Sequence, residues 1–175
     1  MTMNKFGVKE INQQSWLEPD DTIKAFVKLT SNGRPESMSG KDWLEQILKP
    51  KLMESVPQDV QALLEVARGA LVYGYFFYPL YTLAAEQLFR VAEAAISHKC
   101  KTFSSLKSEE KFAEKIKWLV DKGVIPQTDI QAWNVIRELR NSASHPRSQS
   151  IITPSMAIGL LERVTERINS LFSRA

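Results

Sequence analysis

The sequence predicts an all-α protein: an antiparallel four- to five-helix bundle preceded by a short helical extension. Three observations carry that prediction. Apolar residues recur every three or four positions through most of the chain after Pro57. No run alternates convincingly as a half-buried strand would, and Ser31-Asn32-Gly33-Arg34-Pro35 reads as a turn without a hairpin around it. With 175 residues, 43% hydrophobic and 25% charged, the chain is long enough for one compact core and has ordinary globular composition.

Residues 1–56 form the extension and residues 57–175 the bundle. In the extension, Pro19-Asp20-Asp21 starts a short helix reaching Leu29, and Ser39 caps a second from Gly40 to Leu48 that Pro50 ends. Pro57 opens the first bundle helix, whose Val60, Leu63, Leu64, Ala67, Ala70 and Leu71 share one stripe. The chain breaks near Tyr78-Pro79. A longer helix then carries Leu83, Glu86, Arg90 and Glu93 and ends near Lys99, where lysines suit the negative end of the dipole. Ser108 caps the third helix, which buries Phe112, Ile116, Leu119 and Val120 before Gly123 closes it. Thr128 caps the fourth, turning Ile130, Trp133, Ile136, Leu139 and Ala143 inward. Thr153-Pro154 opens the last, with Leu160, Leu161, Val164, Ile168 and Leu171 on its buried face.

Residues 69–85 carry no charge over a length at the lower limit for a membrane span. Gly74 and Pro79 interrupt the run, so a buried helix pair or a subunit interface is the better reading, and no membrane association is expected. The single cysteine, Cys100, forms no intramolecular disulfide, which fits a reducing cytoplasm. A net charge of +3 permits a polyanionic partner without demanding one.

Candidate chemistry concentrates at the end of the fourth bundle helix. Arg137, Asn141 and His145 follow one another at four-residue intervals and so share a helical face, with Arg140 and Ser144 beside them. His145 is one of only two histidines, and Pro146 after it disfavours further helix, leaving the ring where the chain unwinds. Histidine suits proton transfer near neutral pH, and arginine suits a phosphate. Together they fit metal-independent RNA cleavage, in which a ribose 2′-hydroxyl attacks the neighbouring phosphate; DNA lacks that nucleophile. Asn141 can fix the histidine tautomer or bind a substrate oxygen. One histidine is thin for acid and base together, so an isologous dimer that joins two motifs at one cleft is expected.

At Arg140, Asn141 and His145 the sequence resembles the HEPN domains (higher eukaryotes and prokaryotes nucleotide-binding), whose motif is an arginine, commonly followed by a polar residue, and a histidine four to six positions on. The stretch LAAEQLFRVAEAAI also looks like the family's earlier supporting helix, with Glu86 matching its polar residue. The resemblance covers about residues 57–172. It implies a four- or five-helix bundle, often dimeric, and a ribonuclease of the kind found in toxin-antitoxin, abortive-infection or antiviral systems, acting on RNA and held by an antitoxin or another protein partner. It equally includes members that only bind nucleotides or proteins through dimerisation.

A plainer reading stands beside it: Arg137, Glu138 and Arg140 form a solvated helix face, and His145 ends a helix. His98-Lys99-Cys100-Lys101 lacks further ligands at suitable spacing and reads as a basic helix end, so neither metal nor cofactor is assigned. Lysines 99, 101, 107, 111, 115 and 117 can guide RNA, but Glu109, Glu110 and Glu114 interrupt them and suggest an ordinary exposed face. Tyr73, Tyr75, Phe76, Phe77, Tyr78 and Tyr81 can stack bases, although core or interface packing suits them better.

Overall fold

Helix α4 (Leu80–Lys101) is the axis of the molecule, with half of its 22 residues buried and with α3, α5, α6 and α7 packed around it. The computed structural model describes residues 3–5, 7–103, 111–143 and 152–173. The surrounding helices are α3 (Gln58–Tyr73), α5 (Phe112–Asp121), α6 (Ile130–Ala143) and α7 (Pro154–Ser173). Ahead of them lie α1 (Asp21–Lys24), the strands β1 (Val27–Leu29) and β2 (Pro35–Ser37), and α2 (Gly40–Leu48).

Small residues let α4 occupy the centre. Ala84, Ala85, Ala92 and Ala95 are all fully buried, so neighbouring helices approach its backbone closely, while Leu88, Val91 and Ile96 fill the remaining space. The stripes expected on α3 and α7 face it, with Val60, Leu64 and Leu71 buried on one side and Leu161, Val164 and Ile168 on the other. Each such buried side chain contributes about 1.5–3 kcal/mol.

The helix directions follow from cross-contacts. Gln87 Nε2 donates to the Leu63 carbonyl and His98 pairs with Asp59, so α3 and α4 are antiparallel. Glu93 shares a cavity wall with Phe112, Ser97 meets Lys115, and Phe103 just past the end of α4 meets Trp118, so positions on α4 and α5 advance together and the two helices run the same way. The expected up-and-down alternation therefore fails at this one connection. Helix α6 turns back along α5, and α7 again follows α4, with Ile152 beside Thr82 and Lys99 over Phe172.

Several boundaries differ from expectation. The helix expected from Pro19 to Leu29 stops at Lys24, and residues 27–29 instead pair antiparallel with residues 35–37. Asn32-Gly33 closes this hairpin: Thr30 N–H bonds the Arg34 carbonyl at 2.9 Å, and Gly33 takes φ 73°. The strands are three residues long and mostly exposed, which leaves no alternation to read. Thr128 lies within a 3₁₀ turn, Gln127–Asp129, so α6 starts at Ile130 rather than directly after a threonine cap. Ser108, expected to cap α5, lies outside the described residues. Gly123, at φ 70°, ends α5 as anticipated.

The uncharged stretch from residue 69 resolves into the end of α3, a turn and the start of α4, and no helix among the described residues is long and apolar enough to cross a membrane. The N-terminal segment covers this aromatic turn. Asp20 is buried, donates its N–H to the Tyr75 carbonyl and accepts the Tyr78 N–H, each at 2.9 Å. Buried Lys9 donates to the Phe76 and Glu18 carbonyls. Ile23, Trp43, Ile47 and Val56 join the same core as the bundle.

Helix α2 matches its expected limits because Ser39 and Asp42 form a reciprocal capping box. The Asp42 carboxyl is held down at about 2, first by the Lys28 ammonium and then by the Ser39 hydroxyl and N–H. A depressed carboxylate stabilises the fold above its unfolded pKa and loses that contribution as pH falls through its folded one. Asp42→Ala is therefore expected to lower the urea midpoint at pH 7. The gap from wild type should close between about pH 4 and pH 2; a gap independent of pH would show that the carboxylate's charge is irrelevant.

Candidate functional site

The last two turns of α6 carry the site, and they do so by turning arginines toward the bundle. Trp133 and Ile136 are buried, which sets the inward face of the helix. Arg137 and Arg140 lie four and seven residues after Trp133 and continue that same face. Leu139, expected inward, is 45% exposed instead, and Ala143 is exposed too. Trp133, Ile136 and Arg140 fall within about 60° of helical arc, and Leu139 lies about 60° beyond its edge.

Helix α4 answers with Glu86, Arg90 and Glu93, spaced four and three residues apart along the flank that meets α6. Between the two helices lie two adjoining cavities. One, of about 370 Å³, is lined by Glu93, Lys111, Phe112, Ala113, Arg137, Arg140 and Asn141. The other, of about 180 Å³, is lined by Glu86, Phe89, Arg90, Arg140 and Ala143. Arg140 belongs to both. Phe89, Phe112 and the two alanines supply apolar wall, while four cations face two carboxylates, leaving the walls net positive.

Arg140 Nη2 lies 3.2 Å from Glu93 Oε2, and Arg140 Nη1 donates to Asn141 Oδ1 at 3.3 Å. Arg137 Nη2 pairs with Glu138 Oε1 at 3.2 Å, while its Nε is buried with no hydrogen-bond partner among the described residues. That N–H is an unspent donor, which is costly unless a ligand or water accepts it. Chemically, the cleft can take a phosphate-sized anion, with two guanidinium groups offering forked donors and Lys111 a third positive charge.

Of the residues singled out by sequence, Arg137, Arg140 and Asn141 come together in one cavity, and Glu86 shares the second with Arg140. Ser144 and His145 lie outside the described residues, directly after α6. The sequence reading places Arg90 and Glu93 on the long helix and Lys111 among the lysines that can guide RNA, but assigns none of the three to this site. The spacing of Glu86, Arg90 and Glu93 marks one face of α4, but nothing in it says which helix that face meets.

The other candidates have structural partners. His98 pairs with Asp59, whose carboxyl is lowered chiefly by that hydrogen bond. Cys100 is buried, and the Lys99 ammonium lies 5.6 Å from the Phe172 ring centroid. No group of three or more His, Cys, Asp or Glu suited to a metal ion occurs among the described residues. Tyr81 is fully buried, and Tyr75 and Tyr78 are partly buried against the core, whereas Tyr73 is exposed.

No curated protein and no solved structure matches the chain. Residues 71–174, from the last turn of α3 through α7 and including both walls of the cleft, match a family described as a domain of unknown function (DUF4145), and the chain belongs to that family.

Proposed function

We propose that this chain is a metal-independent endoribonuclease of the HEPN type, working as a homodimer in the cytoplasm, in a toxin-antitoxin or antiviral defence setting. One observation carries the reading: Arg137, Arg140 and Asn141 converge on a single cleft at the end of the helix that leads into His145. In the proposed reaction, His145 takes the 2′-hydroxyl proton and the oxygen attacks the adjacent phosphorus. The bond to the 5′-oxygen then breaks, and His145 of the partner subunit returns a proton to that oxygen. Arg140 and Arg137 stabilise the charge on the phosphoryl oxygens. The products are a 2′,3′-cyclic phosphate and a 5′-hydroxyl.

The phosphate must compete with Glu93, which pairs with Arg140. That contact favours a second reading, a non-catalytic nucleotide- or protein-binding module that acts through dimerisation, with Arg140 already engaged. The exposed Leu83 and Leu139, on the two helices that wall the cleft, give a dimer or a protein partner such as an antitoxin apolar surface to cover.

The deciding experiment incubates the purified protein with single-stranded RNA in excess chelator and analyses the product ends. Cyclic phosphate ends, with DNA of the same sequence left intact, are the expected result. Intact RNA across a set of varied sequences, from a protein shown by sedimentation to be dimeric, would favour the binding module.

A further inference from the structure

Helix α5 sorts its charges by face. Lys111, Lys115, Trp118 and Lys122, spaced four, three and four residues apart, fall within about 60° of helical arc. Glu114, Lys117 and Asp121 project from a separate arc; Glu114 Oε2 reaches back to accept the Lys111 N–H at 2.9 Å, which places its charge at the start of the stripe and away from Lys115 and Lys122. The stripe begins at the cleft, where Lys111 shares a cavity with Arg137 and Arg140. From there it runs about 16 Å along the helix. At its middle, Lys115 Nζ bonds Ser97 Oγ at 3.1 Å. At its far end Phe103 packs edge-on to Trp118 at 5.4 Å while staying 43% exposed, and the Lys122 ammonium lies 5.6 Å from the Trp118 ring centroid.

We infer that this stripe is a binding track for single-stranded RNA, leading the strand from Phe103 into the Arg140 cleft; the inference rests on the ribonuclease reading above and names its substrate class. Lysines at helical intervals neutralise successive phosphates, and an exposed ring supported by a second ring stacks an unpaired base. A duplex hides its base faces and offers Phe103 nothing to stack on. The apolar ring at the end of a basic row, together with continuity into a cleft built for phosphate, separates this surface from an ordinary solvated lysine face.

The test measures binding of a labelled, uncleavable 2′-O-methyl oligoribonucleotide by fluorescence anisotropy over a range of salt. Lys115→Gln and Lys122→Gln are each expected to weaken binding about threefold or more and to reduce the magnitude of the salt slope by about 0.7. Phe103→Ala is expected to weaken it about 5- to 100-fold. Phe103→Leu keeps apolar packing on Trp118 and should show a similar loss, whereas Lys117→Gln, off the stripe, should bind like wild type. The track is overturned if Lys115→Gln and Lys122→Gln match Lys117→Gln, if duplex RNA binds as tightly as single strands, or if anionic vesicles bind and RNA does not compete. Cleavage is scored separately with natural RNA. Stripe-dependent binding without cleavage sinks the enzyme reading and leaves the track; Arg140-dependent cleavage with unchanged binding in the α5 variants does the reverse.

Discussion

Arg140→Ala is expected to lower RNA cleavage by about 100- to 1,000-fold, the usual loss when a preorganised donor to a developing oxyanion is removed. His145→Ala should cost about 100- to 10,000-fold through lost proton transfer. The fold should survive the arginine substitution, because Arg140 is 40% and Glu93 31% exposed, and an ion pair that accessible contributes only about 0–1 kcal/mol. Loss of cleavage with unchanged circular dichroism and sedimentation would therefore report on chemistry. Arg140→Lys keeps the charge but loses the fork, so it should restore part of the rate. Glu93→Gln separates the two readings of the cleft. If Glu93 competes with phosphate, neutralising it should tighten RNA binding up to about fivefold. If the Glu93–Arg140 pair is structural scaffolding for a binding module, the same change should loosen partner binding and leave RNA untouched. Cleavage that persists in Arg140→Ala or His145→Ala would sink the proposed mechanism.

How far the sequence anticipates this cleft depends on which physical signal each part leaves. Helices are most legible where an apolar stripe comes with punctuation: Ser39 and Asp42 at the start of α2, Gly123 at the end of α5, and Thr153-Pro154 at the start of α7. Arg137, Arg140 and Asn141 could be grouped because helical spacing alone places them close together. Their orientation was not legible. Leu139 outranks Arg140 in hydrophobicity and so claims the inward face in a sequence reading, yet Trp133 and Ile136 fix the rotation of α6 and bring Arg140 over α4. Glu93 escaped for a related reason, since an ion pair between helices has no sequence spacing. The parallel run of α4 and α5 is likewise invisible, because a connection's length does not state its direction. The same relation leads the lysine stripe of α5 into the cleft instead of away from it.

The largest expected effect on folding lies at the α3–α4 turn. Gly74 caps α3 in ordinary right-handed helical geometry, so backbone freedom is not what requires glycine there. Space is. A Cβ at this position would lie 2.8 Å from Tyr81 Cε2, 2.9 Å from Tyr81 Cζ and 3.1 Å from the Leu71 carbonyl oxygen. The Tyr81 ring is fully buried, with Trp43 at 6.4 Å and Tyr78 at 5.8 Å between centroids, so moving it disturbs those rings as well. Gly74→Ala is therefore expected to cost about 1–3 kcal/mol through overpacking, and Gly74→Val more. Denaturant midpoints check this, and a stability equal to wild type would show that the ring moves freely. The neighbouring hydroxyl predicts the opposite sign. Tyr81 OH is buried without a hydrogen-bond partner among the described residues, and burial pushes its pKa upward. Tyr81→Phe removes that desolvated group without changing the ring, so it should leave stability unchanged or raise it. In the double variant the clash with Cε2 and Cζ remains, and the two effects should add. Rescue of Gly74→Ala by Tyr81→Phe beyond additivity would locate the strain at the hydroxyl rather than the ring.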